Sequence, residues 1–244
     1  MKKTLSLLAV LMVAGIGATP AQATTHYVSG FGGVSWMQNL KRSDTYLFDP
    51  ATHSNDTSDK DLGSGVALTG AIGCDYGSYR FEAEVGYQTN DVKSQVDFIN
   101  GVAYDYLLEG TRYAMRGDVS VLSLMGNGYY DFDLGRKVEL YATAGVGVAQ
   151  VSFHNVTFVY YAARSGDKVL VANNNPGFNG HETTLAWQVG AGIAAPISDH
   201  VKLDLRYRYF ATTDFTVSDW GSDSYSANTN LSSHSVLLGL RVDF

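Results

Sequence analysis

Glu82 and Glu84 stand two residues apart, a spacing that puts both carboxylates on one face of a strand, where general acid–base chemistry could use the pair. His234 sits among Ser232, Ser233 and Ser235, the residue types of a nucleophile and its base. Six histidines, His26, His53, His154, His181, His200 and His234, are dispersed along the chain and form no metal-ligand spacing. Gly145-Val-Gly147 and Gly190-Ala-Gly192 lack the helix and third glycine of a nucleotide fingerprint. Cys74 is the single cysteine, so no intrachain disulfide and no thiolate zinc centre can form. No metal, cofactor or catalytic site is expected, and the Glu pair reads as half of an ion-paired surface rather than as an acid and a base.

The elements that position these residues follow from composition and period. Charged residues make up 17% of 244, below the roughly 25% usual in soluble domains. The 26 glycines are about half again the usual 7% share, the 4 prolines fall well under the usual 5%, and tyrosine reaches 16. A net charge of −7 disfavours nucleic acid as a partner, since a phosphate backbone calls for a basic surface. Mean hydropathy of −0.07 argues against a polytopic helical membrane protein.

Lys2 and Lys3 precede the apolar run Leu5–Ile16, and Pro20 precedes Ala21-Gln-Ala23. This is the order of a secretory signal, with cleavage expected after Ala23. Residues 1–23 are thus read as a signal peptide and 24–244 as one exported domain. Losing the two lysines leaves 15 basic against 24 acidic residues, a charge of −9. No second apolar run could cross a bilayer as a helix, so the exported chain has to be read with period two.

Val201, Leu203, Leu205, Tyr207 and Tyr209 alternate with Lys202, Asp204, Arg206 and Arg208, which a strand sorts onto two faces and a helix would scatter. Val236, Leu238, Leu240, Val242 and Phe244 alternate with Ser235, Gly239, Arg241 and Asp243, and only Leu237 breaks the pattern. Similar alternation elsewhere predicts eight strands near 26–37, 63–75, 79–90, 117–132, 138–151, 183–197, 201–212 and 232–244. Short turn sequences, Asp75–Ser78, Asp133–Lys137 and Ser198–His200, join alternate pairs. The other connections, 38–62, 91–116, 152–182 and 213–231, run 19 to 31 residues. Such loops are uncommon in a compact soluble domain, whereas short turns at one end and long loops at the other are the pattern of a transmembrane barrel. The fold expected is all-β: an eight-stranded antiparallel up-and-down transmembrane β-barrel with short periplasmic turns and four long extracellular loops.

The polar faces carry Arg80, Lys202, Arg206, Arg208 and Arg241 against Glu82, Glu84, Glu139, Asp204 and Asp243. Five of each sign within an acidic chain is expected where charges must pair inside a narrow lumen. Tyr129, Tyr130, Phe132 and Phe244 towards one end, with Tyr87, Tyr207, Tyr209 and Phe210 towards the other, are expected to form two interfacial girdles. The inward Gly86, Gly145, Gly147, Gly190, Gly192 and Gly239 are expected to make room for the long Arg and Glu side chains.

Tyr27-Val-Ser-Gly-Phe-Gly-Gly33, Gly126-Asn-Gly-Tyr-Tyr-Asp-Phe132, Ala144-Gly-Val-Gly-Val148 and Leu238-Gly-Leu-Arg-Val-Asp-Phe244, in that order behind a signal peptide, resemble the opacity-type outer-membrane protein family, sometimes termed the opacity-type porin family, of Gram-negative bacteria. Its architecture is related to the barrel of outer membrane protein A. The resemblance implies residence in the bacterial outer membrane among lipid and lipopolysaccharide, and a role as a surface antigen in adhesion. It also implies that Val236, Leu238, Leu240, Val242 and Phe244 form the signal read by the barrel assembly machinery. No residue follows Phe244, so the peptidoglycan-binding domain of outer membrane protein A is not expected. The lipid A deacylase barrel resembles this architecture but uses a His-x-Ser-Asn pattern, and Val236 and Leu237 depart from it after His234-Ser235.

What remains for function is the loops. Tyr46, Phe48, Tyr104, Tyr106, Tyr113, Tyr160, Tyr161, Phe178, Trp220 and Tyr225 lie in them among Ser, Asn and Gly, a composition resembling antibody binding loops. Their charge of −6 does not fit a heparin-like or nucleic-acid ligand. Two functions are expected from this: a non-enzymatic surface protein whose loops meet host surface molecules, or a narrow porin-like channel for small solutes or apolar compounds.

Overall fold

The computed structural model describes residues 25–38, 40–44, 56–99, 102–104, 111–132, 138–164, 167–171, 178–218 and 226–244. Residues 1–23, read above as a signal peptide, the expected turn at 133–137 and the loop residues Tyr46, Phe48, His53, Tyr106, Trp220 and Tyr225 lie outside them. Eight long strands form the wall: β1 (Thr25–Met37), β2 (Asp56–Asp75), β3 (Tyr79–Ile99), β4 (Thr111–Phe132), β5 (Glu139–Arg164), β6 (Phe178–Pro196), β7 (Val201–Thr212) and β8 (Ser232–Asp243). Each pairs antiparallel with its neighbours in sequence, and β1 pairs with both β2 and β8, so Tyr27 faces Gly73 on one side and Asp243 on the other. The sheet closes on itself. Closure removes every edge at bilayer depth, where an unpaired backbone group would cost several kcal/mol.

The tight turns form as their residues dictate. Between β2 and β3, Tyr76 N donates to Tyr79 O at 2.8 Å, Gly77 takes φ +89°, and its N–H donates to Asp75 Oδ1 at 2.7 Å. Between β6 and β7, Ile197 N donates to Val201 O at 2.9 Å. Chain ends and short turns share one end of the barrel, since His26 and Phe244 exchange backbone hydrogen bonds there.

The opposite end differs from the expectation. Residues 56–62, 91–99, 111–116 and 152–164, read as loop, continue the wall as strand, and Leu40–Asp44 adds a short strand beside Asp56–Lys60. The period-two signal fades where the strands leave the bilayer, because no face needs apolar residues there, yet backbone pairing carries on. Irregularities mark the rim. The β4–β5 ladder slips between Arg116 and Asp118, and at Gly117, φ +150°, a Cβ would come within 2.8 Å of His154 O and Val156 Cα. Across this bulge Asn155 adopts φ 47°, its N–H donating to Asn179 Oδ1 at 3.0 Å. Bulges of this kind re-aim strands at barrel rims.

Two members of the expected girdles face inwards instead. Tyr129 and Phe210 are 3% and 1% exposed, because they share parity with Asn127 and Arg208, which line the lumen, while Tyr130 and Tyr209 take the outer face. Leu237 is not a break in β8: it is fully buried beside Phe31 and Ala67, an apolar member of the inner face.

Candidate functional site

The lumen is built from alternate residues of all eight strands. At the chain-terminal mouth Glu139 of β5 accepts from Lys202 Nζ of β7 at 2.6 Å and from Arg241 of β8. Asp243 lies 3.5 Å from Lys202 Nζ and 3.7 Å from Arg241 Nε. One level deeper, Arg80 grips Asp131 of β4 with two hydrogen bonds of 2.7 and 2.8 Å. Its guanidinium lies 4.4 and 5.0 Å from the ring centroids of Tyr129 and Tyr141. Contacts of this type contribute about 2 kcal/mol each when desolvated.

The centre is crossed by β3 and β7, four strands apart in a ring of eight and therefore diametrically opposed. Arg206 Nη1 donates to Glu84 Oε2 at 3.1 Å and stands 3.9 Å from Glu82 Oε1. Arg206 also lies 4.0 Å from the Phe31 ring centroid, and its Nε donates to Tyr141 Oη at 3.2 Å. That phenol in turn donates to Asp204 Oδ1 at 2.6 Å. Glu82 accepts from Tyr129 Oη at 2.6 Å, Tyr27 Oη at 3.2 Å, and Ser29 and Asn127 at 3.3 Å. Glu84 accepts from Gln188 Nε2 at 3.1 Å and lies 3.7 Å from Arg208 Nη1; Arg208 Nη2 donates to Gln88 Oε1 at 3.1 Å. The two glutamates thus accept hydrogen bonds from fixed donors on several strands, an arrangement that holds charge in place.

Inward glycines make the space, but for rings as much as for charges. A Cβ at Gly192 would strike the Tyr141 phenol, one at Gly73 the Tyr27 ring, and one at Gly239 the Phe31 ring. Towards the loop end the filling turns apolar: Met37, Val119, Val121, Met125, Val151, Phe153, Phe210, Phe215 and Leu231 belong to one buried cluster.

Residues 6–244 match the outer membrane protein beta-barrel domain. The chain belongs to this family. Among its relatives, Outer membrane protein PagN of Salmonella typhimurium is 24% identical over the full length of both chains. "Putative adhesin RC1281" of Rickettsia conorii is 27% identical over 55% of this chain and 53% of its own. The crystal structure of Neisserial surface protein A covers 90% of this chain and 97% of its own at 17% identity, with a TM-score of 0.45.

As an outer-membrane barrel it turns its apolar faces to lipid. Leu68, Ile72, Val85, Leu122, Val146, Leu185, Ile193 and Leu205 are all exposed, which in a water-soluble protein would be a large unpartnered surface. Val236, Leu238, Leu240, Val242 and Phe244 lie on this outer face. Phe244, just past the end of β8, lies ten residues after His234. At about 3.4 Å per residue and a tilt of about 40°, that is roughly 26 Å of height, matching an apolar band of about 25 Å.

Sequence reasoning missed several lumen residues. Asp131 was hidden between Tyr130 and Phe132 in a segment where glycine blurred the faces, which also concealed Asn127, and Tyr129 was assigned to the outer face, whereas Tyr141 and Gln188 stand on the polar faces their alternation predicts. The His–Ser motif dissolves: His234 points outwards, whereas its neighbours Ser233 and Ser235 are fully buried on the inner face, so neither can meet the imidazole along the strand. Another serine does meet a histidine, with Ser120 Oγ 3.0 Å from His154 Nε2. Among the described residues no carboxylate hydrogen-bonds the other ring nitrogen, and none of them form a group of three or more able to hold a metal.

Proposed function

We propose that the barrel is a non-enzymatic, adhesin-like surface protein, in which a filled lumen supports external loops that meet host surface molecules. The Arg206–Glu84 contact carries this reading, because a 3.1 Å bond between opposed strands occupies the route a solute would take. The apolar cluster above it adds a layer that excludes water and ions. Similarity to the rickettsial relative named as an adhesin and the aromatic, Ser- and Asn-rich composition of the connections support attachment through the loops.

Cells displaying the chain should bind host-cell monolayers above vector controls, and light surface proteolysis, with cuts confined to 38–62, 91–116, 152–182 and 213–231, should abolish binding while leaving the membrane core intact. Steady single-channel conductance in planar bilayers, altered by Arg206→Ala, would replace this reading with the porin-like one.

The β8 stripe serves, on the same reading, as the signal for the barrel assembly machinery. Deleting Phe244, whose ring projects 73% exposed from the last position, should sharply reduce the amount reaching the outer membrane. Normal outer-membrane levels of the truncated chain would assign assembly to another part of the sequence.

A further inference from the structure

In an Asn-Gly pair the asparagine side chain is open to attack by the next backbone nitrogen, because glycine puts no Cβ in the way. The chain has three such pairs, Asn100-Gly101, Asn127-Gly128 and Asn179-Gly180, of which the first lies outside the described residues. The fold sets the other two in opposite surroundings. Asn127 is 4% exposed and stands in a regular ladder between Glu82 and Gly145. Its Nδ2 donates to Glu82 Oε1 at 3.3 Å, and its Oδ1 accepts from Gln188 Nε2 at 2.7 Å. Swinging that amide towards Gly128 would break a buried polar layer.

Asn179 is exposed at the start of β6, where the β5–β6 register slips between Phe153 and Val156. Asn155, held at φ 47° in the bulge, aims two groups at this side chain. Its backbone N–H donates to Asn179 Oδ1 at 3.0 Å, and its own Oδ1 accepts from Asn179 Nδ2 at 3.5 Å. The first contact draws electron density from the Cγ carbonyl and stands where that oxygen gains charge during addition, the place at which a fixed donor helps such a step most. The second orients the nitrogen that has to leave.

We propose that Asn179 is a site of non-enzymatic deamidation in the folded barrel. The Gly180 backbone nitrogen, its proton taken by hydroxide, attacks Asn179 Cγ, and the carbonyl electron pair moves onto Oδ1 against the Asn155 N–H. The intermediate collapses by breaking the Cγ–Nδ2 bond, and the amide nitrogen leaves as ammonia after taking a proton from water. Water then opens the five-membered imide at either carbonyl, to aspartate or isoaspartate. A carboxylate oxygen now stands where Asn179 Nδ2 faced Asn155 Oδ1, so acceptor meets acceptor. Isoaspartate also lengthens the backbone where the chain between Val156 and Phe178 rejoins the wall. The reaction depends on the rim geometry and not on what the loops bind.

The test incubates the full exported chain, folded in detergent at mildly alkaline pH, and follows the Asn-Gly sites by peptide mapping and mass spectrometry that separates aspartate from isoaspartate. Both products should accumulate at Asn179 while Asn127 stays intact, and unfolding in denaturant should open Asn127 to the same reaction. Gly180→Ala should slow the folded reaction severalfold. Asn155→Gly, which keeps the positive φ, should retain the rate, whereas Asn155→Val, whose branched side chain resists it, should lower it. An intact Asn179, or equal reaction at Asn127 in the folded barrel, would overturn the proposal. Equal rates in the two Asn155 variants would overturn the role given to its N–H. The wild-type comparison of Asn179 with Asn127 decides the main point even if Asn155→Val does not fold.

Discussion

Glu84→Ala will unfold at a markedly lower temperature than wild type in detergent, by about 10 °C, and Arg206→Ala will match it. Both side chains are buried, 0% and 3% exposed, and removing either leaves the other charged, buried and without its ion-pair partner. Such a loss costs about 3–5 kcal/mol, and for a chain of this size each kcal/mol moves the midpoint by about 2–4 °C. The attraction itself is not what is being measured: a Glu84→Leu/Arg206→Met double variant, which removes both charges and fills the space, should lie closer to wild type than either single change. Heat-dependent mobility on gels and loss of strand signal by circular dichroism report the midpoint. Two single variants as stable as wild type would place these residues outside a common buried network.

Gly239→Val will fold poorly or not at all, while Gly70→Ala will be indistinguishable from wild type. A Cβ at Gly239 would meet the Gly30 carbonyl oxygen and the Phe31 ring. The oxygen belongs to the β1–β8 seam that closes the barrel, so it cannot yield without loosening the ladder. The ring cannot yield freely either, because it carries the Arg206 guanidinium at 4.0 Å. Overpacking a filled interior costs about 1–3 kcal/mol even for small additions, and a branched side chain asks for more. Gly70 faces outwards with open space around it, which makes it the matched control. Refolding yield from denaturant into detergent separates the two, and a normal yield for Gly239→Val would show that the seam is looser than the contacts imply.

The strands, the short turns and the sorting of residues onto two faces were legible in the sequence because they are local. Alternation at Val201–Tyr209 and at Val236–Phe244 needs nothing beyond the pleat, and Asp75-Tyr-Gly-Ser carries its turn chemistry in four residues. The same logic missed Asp131 and turned Tyr129 and Phe210 outwards, since an aromatic residue suits a lipid interface and a packed lumen equally and only parity with Asn127 and Arg208 separates them. Strand above the bilayer was illegible for a related reason: without lipid on one side, neither face has a hydrophobic requirement to reveal it.

By itself the sequence determined an even set of membrane-length strands, their apolar and polar faces, and a balance of charge that could pair. Tertiary structure alone decided that Glu84 meets Arg206 across the full diameter, that Arg80 takes Asp131, that Phe31 and Tyr141 occupy the room left by Gly239 and Gly192, and that His234 joins Tyr207 and Gln38 instead of a serine. Those pairings depend on register and closure, which set Arg80 beside Asp131 across 51 positions, Glu84 beside Arg206 across 122 and Gln38 beside His234 across 196, and a period of two carries no information about which residues will face one another around a ring.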